Sequence, residues 1–151
     1  MPLYPSAKDL IGIQLDLIAR DDHVRLIVIG ELTAQQHQAI NQARKAFGLP
    51  SLESPELVYV GKHHFKSRVT ENGYALHDLF EQIAGAFHET SSVHVTERST
   101  TVVSTIERDD GYGCKVKDVA VLELNSRKPR AEVYSVVPKG DRGGPKKRQG
   151  P

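Results

Sequence analysis

Through Phe87 the apolar residues keep a helical spacing, broken by two short β-branched runs; beyond it they alternate with a period of two. Those two periods belong to helices and strands respectively, so this switch constrains the fold more than any other feature. Leu10, Ile13 and Leu17 interleave with Ile11, Leu15 and Ile18 to lay a stripe along a first helix, with Ser6 placed as its N-cap. Val24 to Ile29 reads as a buried strand closed by Gly30. Thr33 is placed to cap a second helix in which Ile40, Ala43 and Phe47 share a face, and Gly48 with Pro50 stops it. Leu57 to Val60 is another β-branched run. From Leu76, the positions Leu79, Phe80, Ile83, Ala84 and Phe87 form an amphipathic helix. Val93 to Val95, Thr101 to Ile106, Val116 to Asn125 and Ala131 to Val137 then alternate as strands, the last two flanking Arg127-Lys128-Pro129-Arg130 as a basic hairpin turn. This order predicts an α+β fold, with helices packed on an antiparallel four- to five-stranded sheet and an N-terminal αβα extension.

The 151 residues suit one compact domain, in which residues 1–50 form the extension and residues 51–137 the helix-plus-sheet unit. Residues 138–151 read as a disordered basic tail, because their glycines and prolines cannot build a core. From Lys139 onward five basic residues face Asp141 alone, a net of +4, while the remainder carries 15 basic against 18 acidic residues, a net of −3. The tail is thus either a solubilising terminus or an arm for a phosphate backbone. Cys114 is the only cysteine, which excludes an internal disulfide and a four-thiolate zinc site. The start of the chain lacks the pattern of a secretory leader, and the longest apolar run, Leu26 to Gly30, falls far short of a membrane span. A soluble cytoplasmic protein with no membrane association, no cofactor and no metal is the expectation.

The stretch Gly61-Lys62-His63-His64-Phe65-Lys66-Ser67-Arg68 carries the densest chemistry. Read as extended, it puts His64, Lys66 and Arg68 on one face, an arrangement that anchors a phosphate and moves a proton. The bland counterpart is a solvated basic edge strand. Adjacent histidines on a strand point opposite ways, which disfavours a shared metal. In the C-terminal hairpin Ala120, Leu122 and Leu124 read as the core row, leaving Glu123, Arg127, Arg130 and either Tyr134 or Ser135 on the open face. That supplies a base, cations and a hydroxyl, although a half-solvated sheet with ordinary cross-strand pairs has the same composition.

The segment from Val58 to Arg68, the helix from Leu76, the Thr/Val strands and the basic-turn hairpin together resemble the barnase, EndoU, colicin and RelE-like ribonuclease superfamily, in its phage and mobile-element branch. The resemblance covers Leu57 to Val137 and implies helices before a four-stranded antiparallel sheet. It matches His64, Lys66 and Arg68 to an early basic cluster, and Thr101, Ser104 and Tyr134 to later strand hydroxyls. The function it implies is a small metal-independent endoribonuclease or toxin-like nuclease; His64, Lys66, Arg68 and Tyr134, with Glu123 from the reading of the hairpin's open face, are the candidate catalytic residues. Lys62, His63, Arg127, Lys128, Arg130, Lys146, Lys147 and Arg148 are the candidate nucleic-acid contacts, and RNA and a cognate protein are the expected partners. The alternative is a non-enzymatic mobile-element accessory protein that binds nucleic acid or a protein.

Overall fold

In the computed structural model of the chain, which describes residues 2–124, 130–140 and 145, the first apolar stripe becomes α1 (Ala7–Ala19). Ile11 and Leu15 are fully buried on it, whereas Ile13 points outward and is 61% exposed. Ser6 occupies the N-cap position with helical dihedrals, and its hydroxyl makes no capping bond. β1 (Ile27–Glu31) starts later than expected. α2 (Ala34–Ala46) opens on the Thr33 cap, whose hydroxyl accepts from Gln36 N at 3.1 Å while Gln36 Oε1 accepts from Thr33 N at 3.0 Å. Its inward face is centred on Ile40, and Phe47 lies exposed past its end.

The strands are β2 (Glu56–Tyr59), β3 (Ser92–Val95), β4 (Thr100–Val103), β5 (Arg108–Asp109), β6 (Lys115–Leu124) and β7 (Ala131–Lys139). With β1 they form one seven-stranded sheet in the order β1-β2-β7-β6-β4-β3, and β5 pairs with β6 off that path. The fold class is α+β, as expected, but the sheet is larger than expected and mixed, because β2 runs parallel to β7. The run Leu57-Val58-Tyr59 is buried throughout, as a strand between two neighbours should be. β1 continues the same sheet beyond β2. β7 runs to Lys139, so Pro138 and Lys139 belong to a strand, and Pro138 is buried opposite Asp118.

α1 packs against α4 (Leu76–Ala86), and α4 packs across β6 and β7. Leu79, Ile83 and Phe87 meet Val102, Ala120, Leu122, Val133 and Val136 in the core. The ladder between β6 and β7 contains a bulge. Val121 faces Ser135 and Leu122 faces Val133, so Tyr134 is the extra residue with no partner across the ladder. The strict alternation read along β7 therefore breaks: Ser135 and Val136 are both buried, while Tyr134 stands 42% exposed. No helix among the described residues is long and apolar enough to cross a membrane.

Candidate functional site

Gly61 ends the run from β2 with a φ of 88°, and a Cβ there would lie 2.8 Å from the Tyr59 ring. The chain then turns into α3 (Lys62–Phe65) and a π turn (Lys66–Thr70) rather than staying extended. Helical geometry corrects the alternating reading of this segment. Phe65 and Val69, four residues apart, pack against the core together, and that spacing was the available signal for a helix.

His64 also turns inward and is completely buried. Its Nδ1 lies 3.1 Å from Tyr59 Oη and its Nε2 3.0 Å from Gln82 Oε1. With Gln82 Oε1 as acceptor, Nε2 carries the proton and Tyr59 donates to Nδ1. Burial pushes the His64 pKa down to about 4, with the Gln82 bond acting against it. His64 is thus a sealed, neutral core histidine; Arg68, one helical turn on, remains an electrostatic neighbour that also lowers its pKa, while Lys66 points away from both. Lys66 is exposed on the π turn. Arg68 is half-buried, donates to Ser67 Oγ at 2.7 Å, and feels Tyr74 and Glu71 as its electrostatic neighbours. Burial lowers its pKa, and its Nε is sealed without a partner.

The residues that do converge are a different set. Glu123 and Tyr134 line one cleft of about 410 Å³, together with Arg44 in the last turn of α2, Pro50 in the loop after it and the β3–β4 turn, Thr96 to Ser99. His63, the exposed neighbour of His64, stacks on the Tyr134 ring with centroids 4.1 Å apart and planes 17° from parallel. The bulge turns Tyr134 out, and the buried His64 fixes α3 so that His63 meets it. Arg98 lies near the tip of the β3–β4 turn, which Thr96 Oγ1 braces by accepting from Arg98 N and Ser99 N.

Other expected contacts fall elsewhere. Lys62 is exposed on α3. Arg130 is engaged by Glu132 at 2.8 Å, the residue opposite Glu123 across the ladder. Ser104 is buried in a turn with Ile106, and Thr101 Oγ1 donates to His94 O at 3.4 Å. Arg127, Lys128, Lys146, Lys147 and Arg148 lie outside the described residues. Among the described residues no group of three or more His, Cys, Asp or Glu is placed to hold a metal.

A second polar cluster surrounds α4. Asp118, fully buried, accepts from Arg108 Nε at 2.7 Å and from its Nη2 at 2.9 Å. Asp78 Oδ2 accepts from Ala75 N at 2.9 Å and from Tyr112 Oη at 2.7 Å, and burial together with this bond pushes the Tyr112 pKa up to about 12. These groups hold each other through hydrogen bonds and an ion pair. Sequence reading missed Arg98 and Arg44. The four polar residues Thr96 to Ser99 between two Thr/Val runs mark a hairpin tip and could have found the first. In comparisons with known proteins, the chain matches no family model, no curated protein and no solved structure.

Proposed function

We propose that this protein is a small metal-independent endoribonuclease of the toxin-like kind, acting in the cytoplasm, with its reaction centred on His63 and Glu123. The observation that carries the reading is the His63–Tyr134 stack beside a cleft that also holds Glu123 and Arg98. Cleavage of RNA without a metal requires a base for the 2′-hydroxyl, an acid for the leaving oxygen and a cation for the phosphorane. Glu123 takes the 2′-hydroxyl proton as that oxygen attacks phosphorus. The bond to the 5′-oxygen breaks, and His63 delivers a proton to it. The products are a 2′,3′-cyclic phosphate and a 5′-hydroxyl. Arg98 steadies the charge on the phosphoryl oxygens, and Tyr134 fixes the His63 ring. The resemblance of Leu57 to Val137 to a ribonuclease superfamily supports the same reading, with His63 taking the place expected of His64.

The test is cleavage of a single-stranded RNA in EDTA by the wild type and by His63→Ala, Glu123→Gln and Tyr134→Phe. His63→Ala and Glu123→Gln should each lower the rate by about a hundredfold or more, and Tyr134→Phe, which keeps the stack, by much less. Intact RNA after incubation with the wild type refutes the enzyme. RNA that is bound but never cut assigns the cleft to an accessory protein that holds nucleic acid.

A further inference from the structure

Arg44 is only 6% exposed, yet no carboxylate among the described residues pairs with it. A buried cation without a counter-charge is unfavourable, and burial lowers the Arg44 pKa accordingly. Its Nε–H is used, donating to the Pro50 carbonyl and pinning the loop after α2. Its terminal nitrogens make no hydrogen bond within the described chain. They are also absent from the sealed, unpartnered atoms, which are Arg68 Nε and Gln82 Nε2. Their opening is therefore the cleft that Arg44 lines, where the exposed Arg98 stands as well. The terminal nitrogens of this planar fork keep their N–H donors unused within the described chain, and such a fork suits two oxygens of one phosphate.

The rest of the lining narrows the ligand. Glu97 and Glu123 line the same cleft, so a purely anionic molecule meets repulsion on part of it. A ligand with an anionic end and a hydrogen-donating end satisfies both walls. At about 410 Å³ the cleft lies toward the lower end of the roughly 300–1,000 Å³ typical of small-molecule sites, and it suits one nucleotide rather than a duplex.

We propose that the cleft is a mononucleotide subsite, in which Arg44 with Arg98 takes a phosphate while Glu123 accepts from a sugar hydroxyl or a base N–H. The subsite rests on the nuclease reading for its role in cleavage, and its binding test stands apart from that reading. Heteronuclear NMR titrations of the full chain with uridine 3′-monophosphate, uridine and inorganic phosphate measure it directly. The nucleotide should shift Arg98, Glu123 and Tyr134 resonances, uridine should bind at least tenfold more weakly, and phosphate should compete. Arg44→Gln should weaken the nucleotide at least tenfold. Arg44→Lys, which keeps the charge but not the fork, should fall between the two. Arg98→Ala, at an exposed turn, should weaken it without altering the melting temperature, which keeps the proposal testable even if Arg44→Gln fails to fold. Nucleotide binding that is unchanged in Arg44→Lys and Arg98→Ala, or equal affinity for uridine, overturns the subsite. RNA cleavage with no Arg44-dependent nucleotide binding overturns the subsite alone. Arg44-dependent binding with no RNA cleavage supports the subsite and overturns the nuclease.

Discussion

His64 makes the stability of this fold depend on pH in a way that can be calculated. The ring is completely buried between Tyr59 and Gln82, and its pKa is lowered from 6.5 to about 4, chiefly by burial. A folded-state pKa below the unfolded one means that the folded protein favours the neutral ring. The associated stability is complete above pH 6.5 and is lost as pH falls from there toward 4, where the buried ring must accept a proton. Each pH unit within that window removes up to about 1.4 kcal/mol, so the full window removes roughly 3 kcal/mol. Against a typical domain stability of about 5–15 kcal/mol that is a large share. Burial also raises the Asp118 pKa, so the wild type must be compared with a variant lacking only the His64 titration. Urea unfolding of wild type and His64→Gln, followed by circular dichroism from neutral pH down to about 4, isolates the term. The wild-type advantage should be constant at neutral pH and shrink by roughly 3 kcal/mol across the window. An advantage that does not change with pH, or a His64 ring that titrates near 6.5 by NMR, would refute the sealed neutral histidine.

Gly85 and Asp118 test the second polar cluster. Alanine is normally favoured over glycine inside a helix by about 1 kcal/mol. At Gly85, however, a Cβ would lie 1.8 Å from Asp118 Oδ2, and that carboxylate is held bidentate by Arg108 and cannot swing aside. Gly85→Ala should therefore lower stability by about 2 kcal/mol or more, and a raised melting temperature would contradict the packing. Asp118→Asn breaks a buried ion pair, a change that typically removes about 3–5 kcal/mol. The lower end applies here, since the Arg108 side chain is 22% exposed and keeps Glu81 at 3.9 Å. A loss well under 1 kcal/mol in urea unfolding would show that the pair contributes little.

The three long helices were legible because each states its own period. Thr33 with Gln36 announces α2, and Leu79, Ile83 and Phe87 announce the face of α4. Partner choice in the sheet was not legible, since β2 and β7 meet across more than seventy residues and neither carries a mark of the other. The segment from Lys62 to Arg68 misled for a local reason. Its charges alternate as on a strand, while the Gly61 turn and the Phe65/Val69 spacing, which are tertiary in their effect, make it helical. Alternation put Glu123 on the open face but left Tyr134 and Ser135 as alternatives, and the structure exposes Tyr134 and buries Ser135. The bulge that breaks the pattern is the feature that turns that ring outward. Arg44 carried no sequence mark, because a basic residue in the last turn of a helix ordinarily serves the helix itself.

Two departures from regular geometry among the described residues are the bulge at Tyr134, which lines the cleft, and the π turn that follows α3. Both interrupt hydrogen-bonding ladders that the surrounding residues would otherwise continue, and such interruptions concentrate near functional sites. Here they act on the two ends of one contact. The bulge lifts Tyr134 out of register, and α3 with its π turn sets His63 over that ring while His64 locks into the core beneath. Neighbouring histidines thus differ in environment: one is desolvated and held neutral in the core, and the other is left at the surface against Tyr134. A regular strand at β7 would place position 134 within the ladder, and an extended Lys62–Arg68 segment would present His64 in place of His63. Neither arrangement would bring an imidazole onto the ring that lines the cleft with Glu123 and Arg98.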